Sequence, residues 1–151
     1  MSERNQLIFE FFKQFASLES ALRISNYVDI NDDATIKWHE LKDKLKQKNF
    51  KFTKELEELG IVKNPPKKLK FSKEKGKIVW EDDFDSTEHG LAVDSLLRIR
   101  NNLFHGSKKF GDSSESERNA QLVSGALIML EEVVKSLDVG KVHQDIIDYW
   151  N

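Results

Sequence analysis

Apolar side chains return every three or four residues along several long stretches of the chain, which is the spacing of one helix face. The first stretch predicts a long core helix over residues 6–25. After a polar stretch, the next apolar stripe predicts a second helix that begins near Ala34 and carries lysines on its solvent side. A short helix is predicted over residues 53–59, with Gly60 as its C-terminal stop.

The second half of the chain resumes this periodicity after an interruption. The run Asn64-Pro65-Pro66 breaks the regular pattern, because proline lacks an amide proton and restricts the residue before it. Residues 67–81 alternate briefly, which fits either a short hairpin or an irregular insertion. Further helices of the bundle are predicted over residues 87–105 and 115–137. A short terminal helix over residues 142–150 is predicted to pack on the bundle or on a second subunit. We therefore expect an all-α bundle of four to five helices in one domain, residues 1–151.

Composition narrows the class of protein. The 151 residues include no cysteine, so disulfides and thiolate metal sites are excluded and an intracellular setting is expected. The first residues lack the basic flank and apolar run of a signal peptide, and no apolar stretch approaches the roughly 18 residues of a membrane span. We expect a soluble, cytoplasmic protein with no membrane partner.

Charge is distributed unevenly along the chain, although the net charge is only -2. Residues 37–77 contain 14 lysines against 6 acidic residues, and the remainder of the chain is acidic. A one-sided distribution of this kind can attract a polyanion such as RNA. The alternative interpretation is a solvated helix face followed by a lysine-rich loop.

The strongest chemical signal is the run Arg-Ile-Arg-Asn-Asn-Leu-Phe-His-Gly from Arg98 to Gly106, at the predicted end of the third long helix. His105 can exchange a proton near neutral pH, and Arg100 carries the permanent planar charge that suits a phosphate. Asn101 lies four residues before His105, so on a helix its amide shares a face with the imidazole and can orient it. The grouping predicts phosphodiester chemistry.

The other three histidines give no comparable signal. They form no His-x-x-x-His pair and stand near no carboxylate cluster at metal-ligand spacing. We therefore expect no catalytic metal and no cofactor.

The pattern Arg-Asn-x-x-x-His-Gly at residues 100–106 resembles the signature of the HEPN superfamily, small α-helical proteins that include many metal-independent endoribonucleases. The first helix from Phe11 to Arg23, a tryptophan early in the next helix (Trp38) and the run Asn102–Lys108 are similar to one group of small HEPN proteins. The likeness extends over most of the chain, and residues 31–85 contribute little to it.

This resemblance implies a HEPN-like bundle that forms a homodimer, with both motifs facing one cleft. His105 would act as general base on an RNA 2′-hydroxyl or as general acid at the leaving 5′-oxygen. Arg100 would stabilise charge on the phosphoryl oxygens, and Asn101 would orient the imidazole or contact the phosphate. The implied products are a 2′,3′-cyclic phosphate and a 5′-hydroxyl. Contacts to the RNA would come from Lys108, Asn102, Lys67, Lys68 and Lys70.

Two functions follow from the resemblance. The first is an endoribonuclease in a toxin or antiviral-defence setting, where an antitoxin or regulatory protein would be a further partner. The rival is a non-catalytic HEPN module that binds RNA, a nucleotide or a protein. In members regulated by a nucleotidyltransferase a tyrosine stands two residues after the histidine; Ser107 occupies that position here, which argues against that route. Glu19 is either an ion-pair partner for Arg98 or Arg100, or a surface acid.

Overall fold

Helices dominate the architecture, as the apolar periodicity predicts. The structure, a computed structural model, describes residues 2–28, 34–81, 83–104 and 113–151. Over these ranges the backbone forms seven helices and one antiparallel pair of strands. In chain order the elements are α1 (Glu3–Ile24), α2 (Trp38–Gln47), α3 (Lys54–Glu58), α4 (Gly60–Lys63), β1 (Lys68–Ser72), β2 (Lys77–Glu81), α5 (Glu88–Phe104), α6 (Ser113–Lys135) and α7 (Gly140–Trp150).

The mainly helical fold class is confirmed, whereas the expected number of four to five helices is too low for the described residues. The excess comes from the segment after α2, where two short helices replace the single one expected, and from the short terminal helix α7. None of the described helices has the length and apolar character that a membrane span requires.

The first helix forms because its apolar residues return on one face and its N-terminus is capped. The side chain of Ser2 accepts a hydrogen bond from the backbone N–H of Asn5, satisfying a donor that the helix leaves free. Phe11 and Phe15 on the apolar face are almost fully buried. The predicted helix over residues 6–25 is confirmed, with a start three residues earlier.

The second helix begins at Trp38, and the predicted start near Ala34 is wrong. Ala34 has a φ of 48°, in the left-handed region that a right-handed helix excludes. Val28 and Ile36 form an isolated antiparallel bridge, and the N–H of Lys37 donates to the carbonyl of Tyr27. These contacts engage Ile36 and Lys37 outside the helix, which begins at Trp38.

Gly60 starts a helix rather than ending one, so its predicted role as a C-terminal stop is wrong. Thr53 caps α3 by accepting a hydrogen bond from the N–H of Leu56, and Leu59 then takes an extended conformation that ends α3. Because Leu59 supplies the break, no left-handed glycine is required there.

Between the prolines and α5 the chain forms a hairpin, the first of the two alternatives. Strands β1 and β2 pair antiparallel, with Leu69 opposite Trp80 and Phe71 opposite Ile78. Gly76 in the turn has a φ of 62°, a conformation that glycine adopts without steric cost.

One hydrophobic cluster joins the long helices. α1 packs against α6 and α7, and α5 packs against α6 and α2. Gly125 of α6 allows α4 to come close, because a Cβ at that position would lie 2.9 Å from Cγ2 of Ile61. α7 buries Ile147, whereas Tyr149 and Trp150 remain exposed. The C-terminal end of α5, where the motif begins, is set against this cluster.

Candidate functional site at the end of α5

The last turns of α5 carry the described part of the motif. Arg100 is half-buried, Asn101 is exposed and Asn102 is buried. His105 and Lys108 lie outside the described residues, so their predicted roles remain predictions. The described site is therefore the stretch from Arg98 to Asn102 and the groups that it contacts.

Arg100 is held against the aromatic part of the core. Its Cζ lies 5.4 Å from the ring centroid of Phe15, a distance typical of a cation–π contact. The ring of Phe15 in turn lies 5.8 Å from those of Phe11 and Trp38. α1 thus supplies the ring that Arg100 of α5 contacts, and α2 supplies Trp38, which packs against that ring. The ring face restricts the orientation of the guanidinium. A planar guanidinium held in one orientation can bind a phosphate with two parallel hydrogen bonds.

The Nε atom of Arg100 is buried and has no hydrogen-bond partner among the described residues. A buried donor without a partner costs free energy, of the order of 1–3 kcal/mol. Such a donor favours an acceptor brought by a ligand or by another part of the chain.

Sequence reasoning missed the aromatic support of Arg100. Phe15 has the helical spacing of an ordinary core residue, and Trp38 stands out in the sequence only through the family likeness. A half-buried arginine commonly rests on an aromatic ring, so the aromatic residues of α1 and α2 were the only available signal. Choosing Phe15 among them requires the packing of α1 on α5.

Asn102 and Arg98 anchor the segment that leads into the hairpin. The Asn102 side-chain amide donates to the carbonyl of Lys67 over 3.0 Å, and Arg98 Nη1 donates to the carbonyl of Pro66 over 3.3 Å. From α6, Arg118 donates to the carbonyl of Asn64 over 3.2 Å. Asn102, predicted from the sequence as a substrate contact, therefore has a structural partner. These bonds hold the hairpin beside the end of α5.

Arg98 also reaches the segment after the hairpin. Its second terminal nitrogen donates to the carbonyl of Asp83, and its Cζ lies 5.9 Å from the ring centroid of Phe84. Arg98 thus connects both ends of the hairpin to α5 and has a structural role. Glu19 pairs with Arg23 over 3.8 Å within α1, so the predicted pairing of Glu19 with Arg98 or Arg100 is not formed in the described residues.

The predicted RNA-contacting lysines of the hairpin segment are exposed. Lys67, Lys68 and Lys70 all face solvent, and Lys70 makes an ion pair with Glu81 over 3.3 Å. Exposed ion pairs contribute little to stability and are screened by salt. The ion pair of Lys70 therefore offsets little of the positive charge of this segment. That charge lies close to the end of α5, because Lys67 is bound there by Asn102.

Comparison of the chain with protein-family models, curated proteins and solved structures finds no match.

The opposite end of α5 carries a separate polar cluster. Lys42 pairs with Asp94 over 2.8 Å and with Asp85 over 3.5 Å. Thr87 donates its hydroxyl and its backbone N–H to the Asp85 carboxylate, which lowers the pKa of that group, and its Oγ1 accepts from the N–H of Gly90. Thr87 thus caps the N-terminus of α5, and Asp85 fixes the Thr87 hydroxyl in place. Within the described ranges, no three side chains among His, Asp and Glu are grouped to hold a metal ion.

His143 is a structural histidine between α7 and α1. Its side chain is buried, and Nε2 lies 3.3 Å from the carbonyl oxygen of Gln14. Burial lowers its pKa below the usual 6.5, and the hydrogen bond to Gln14 opposes that effect only in part. The neutral ring therefore donates to Gln14 in the folded protein.

We expect stability to fall as the pH drops below 6.5, partly because of His143. The unfolded chain then takes up a proton that the folded state resists, so the stability is complete above the unfolded pKa and is lost as the pH falls through and below it. His143→Gln can keep the hydrogen bond but cannot titrate. Urea denaturation at pH 7 and pH 5.5 should show a smaller loss for His143→Gln than for wild type. Equal losses would contradict this role.

Neighbouring asparagines give a matched test of anchoring. Asn102→Ala leaves the Lys67 carbonyl without its donor and should lower the free energy of unfolding by about 1–3 kcal/mol. Asn101→Ala removes an exposed amide and should change it by no more than about 0.5 kcal/mol. Chemical denaturation of both variants measures the difference. Equal losses would show that Asn102 does not anchor the hairpin.

Proposed function

We propose that this protein is a HEPN-type, metal-independent endoribonuclease whose site is built from Arg100, Asn101 and His105. The observation that carries the proposal is the placement of Arg100 and Asn101 at the last turns of α5, just before His105 in the chain and beside an anchored basic segment. A fixed guanidinium, a histidine five residues later in the chain and a source of positive field together suit attack on a phosphodiester.

The chemistry needs only groups that the chain and RNA supply. His105 takes the proton from the 2′-hydroxyl as its oxygen attacks phosphorus, and a second acid gives a proton to the 5′-oxygen as the P–O bond breaks. Arg100 stabilises the negative charge that builds on the phosphoryl oxygens. Asn101 orients the imidazole, and Lys108 adds positive charge. The products are a 2′,3′-cyclic phosphate and a 5′-hydroxyl.

A homodimer would supply the second proton-transfer group, because each chain carries one such histidine. We expect a species of about 35 kDa, twice the chain mass of 17.5 kDa. Sedimentation velocity at tens of micromolar protein measures this. A monomer at every concentration that supports cleavage would contradict a cleft shared between two chains.

The product chemistry tests the proposed function directly. Purified protein should cut mixed RNA in excess EDTA, leave cyclic phosphate ends and spare DNA, because DNA lacks the 2′-hydroxyl nucleophile. End-group analysis separates this result from a contaminating nuclease that leaves a different end. Intact RNA at high protein concentration would contradict the proposal.

The rival function is a non-catalytic HEPN module that binds RNA, a nucleotide or a protein. The contact of Arg100 with Phe15 favours it, because an arginine on a core ring also contributes to packing. RNA binding without any cleavage would favour the rival. The toxin or antiviral-defence setting and a partner antitoxin or regulatory protein remain part of the proposal through the family likeness alone. The cytoplasmic location remains part of it through the amino-acid composition.

A further inference from the structure

The two faces of the β1–β2 hairpin differ in chemistry. Residues directly opposite each other in an antiparallel pair share a face, and successive residues alternate. The register therefore places Phe71, Ile78 and Trp80 on one face and Lys68 and Lys70 on the other. The three apolar side chains are 56%, 57% and 43% exposed, so this aromatic face is open to solvent.

Charge selects the kind of molecule that fits this face. Residues 67–81 contain six lysines against Glu74 and Glu81, so the aromatic face stands in a positive field. That field opposes the approach of the same hairpin from a second copy, because like charges would meet. Exposed aromatic rings with surrounding lysines are the combination that binds single-stranded nucleic acid, where bases stack on rings and lysines contact phosphates.

The spacing of the two rings favours an unpaired strand over a duplex. Phe71 and Trp80 are diagonal neighbours in the register, and such positions lie about 7–8 Å apart. Stacked bases in a duplex rise only about 3.4 Å per strand. Two bases that are adjacent in the strand can therefore rest on the two rings only when they are unstacked from each other.

We propose that the β1–β2 hairpin is a platform for single-stranded RNA, on which Phe71 and Trp80 stack two unpaired bases while the turn lysines Lys73 and Lys75 contact the backbone. RNA as the ligand rests on the proposed function. The anchor of Lys67 on Asn102 gives the platform a fixed position beside the end of α5. A strand bound there reaches the stretch that carries Arg100.

Binding of an oligonucleotide that cannot be cut tests the platform separately from catalysis. The probe is a labelled single-stranded RNA with every 2′-hydroxyl methylated, so that wild-type protein cannot cleave it. Loss of one stacked base lowers affinity between about fivefold and about 150-fold. The double variant Phe71→Ala/Trp80→Ala should therefore bind at least about tenfold more weakly. The salt dependence of its binding should match that of wild type, because the double variant keeps every lysine that contacts a phosphate.

Control variants distinguish stacking from charge and from general loss of apolar surface. Phe9→Ala/Trp150→Ala removes two aromatic rings of similar exposure, 60% and 61%, outside the hairpin and should bind as wild type does. Lys73→Gln/Lys75→Gln should flatten the salt dependence, by about 0.7 in slope for each phosphate that the variant no longer neutralises. Trp80→Phe should keep most of the affinity, because it keeps a ring.

Several outcomes would overturn the platform. Equal losses in the Phe9/Trp150 control, equal affinity for duplex RNA, or as large a loss from Ile78→Ala as from Trp80→Ala would each contradict stacking. Retention on anionic phospholipid vesicles with no oligonucleotide binding would do the same. If Phe71→Ala/Trp80→Ala leaves both cleavage and binding unchanged, the platform is contradicted, whereas the proposed function is not. If the protein binds RNA tightly through the hairpin but does not cleave unmodified RNA, the proposed function is contradicted, whereas the platform is not.

Discussion

Replacing His105 by alanine will lower the rate of RNA cleavage by at least about a hundredfold, the lower end of what one positioned acid–base group contributes. The reason is that no other group takes the proton from the 2′-hydroxyl in the proposed mechanism. Single-turnover cleavage in EDTA measures the loss. His39→Ala is the matched control, because His39 is exposed on α2 and has no role in the site. Cleavage by His105→Ala at the wild-type rate would show that the site is elsewhere.

Arg100 variants separate charge from shape in the same assay. Arg100→Ala should also cost at least about a hundredfold, because the charge that builds on phosphorus loses its stabilising group. Arg100→Lys keeps the charge but loses the planar fork and its fit to the ring of Phe15. We expect Arg100→Lys to fall between Arg100→Ala and wild type. Equal rates for Arg100→Lys and wild type would reduce Arg100 to a non-specific positive charge.

Truncating Phe15 to alanine will lower the free energy of unfolding by about 3–5 kcal/mol, the usual cost of removing a buried aromatic ring. Phe15 is 1% exposed and contacts the rings of Phe11 and Trp38, so a cavity remains that its neighbours fill only in part. Denaturation in urea measures this. Phe9→Ala is the control: that ring is 60% exposed, and its loss should cost much less. A similar cost for both would contradict the central position of Phe15.

Phe15→Leu tests whether the ring also positions Arg100. Leucine fills much of the cavity but offers no ring face for the guanidinium, so the variant should stay folded while its cleavage slows by about tenfold, the scale of a cation–π contact that is partly desolvated. If the ring only fixes the arginine for transition-state charge, kcat should fall with KM little changed. Phe11→Leu, which changes a neighbouring core ring, is the control for packing alone.

The long elements could be predicted because their information is local. Periodic apolar residues place α1, α5, α6 and α7 to within a few residues, whereas the brief alternation around Gly76 left a hairpin and an irregular insertion both open. The two wrong helix boundaries, the start of α2 and the role of Gly60, lie where the backbone conformation departs from the apolar pattern. Ala34 is left-handed and Leu59 is extended, and neither conformation follows from residue type.

The order of residues by itself determined the mainly helical fold, the basic middle third, and the adjacency of Arg100, Asn101 and His105 in the chain, because helical periodicity, charge and spacing are properties of neighbours in sequence. Only tertiary packing decided that Arg100 rests on Phe15, that Trp38 packs against the same ring, and that Asn102 anchors Lys67 across 35 positions of the chain. Such contacts join residues that no local pattern relates. They form only when burial of the apolar faces of α1, α2 and α5 brings those helices together.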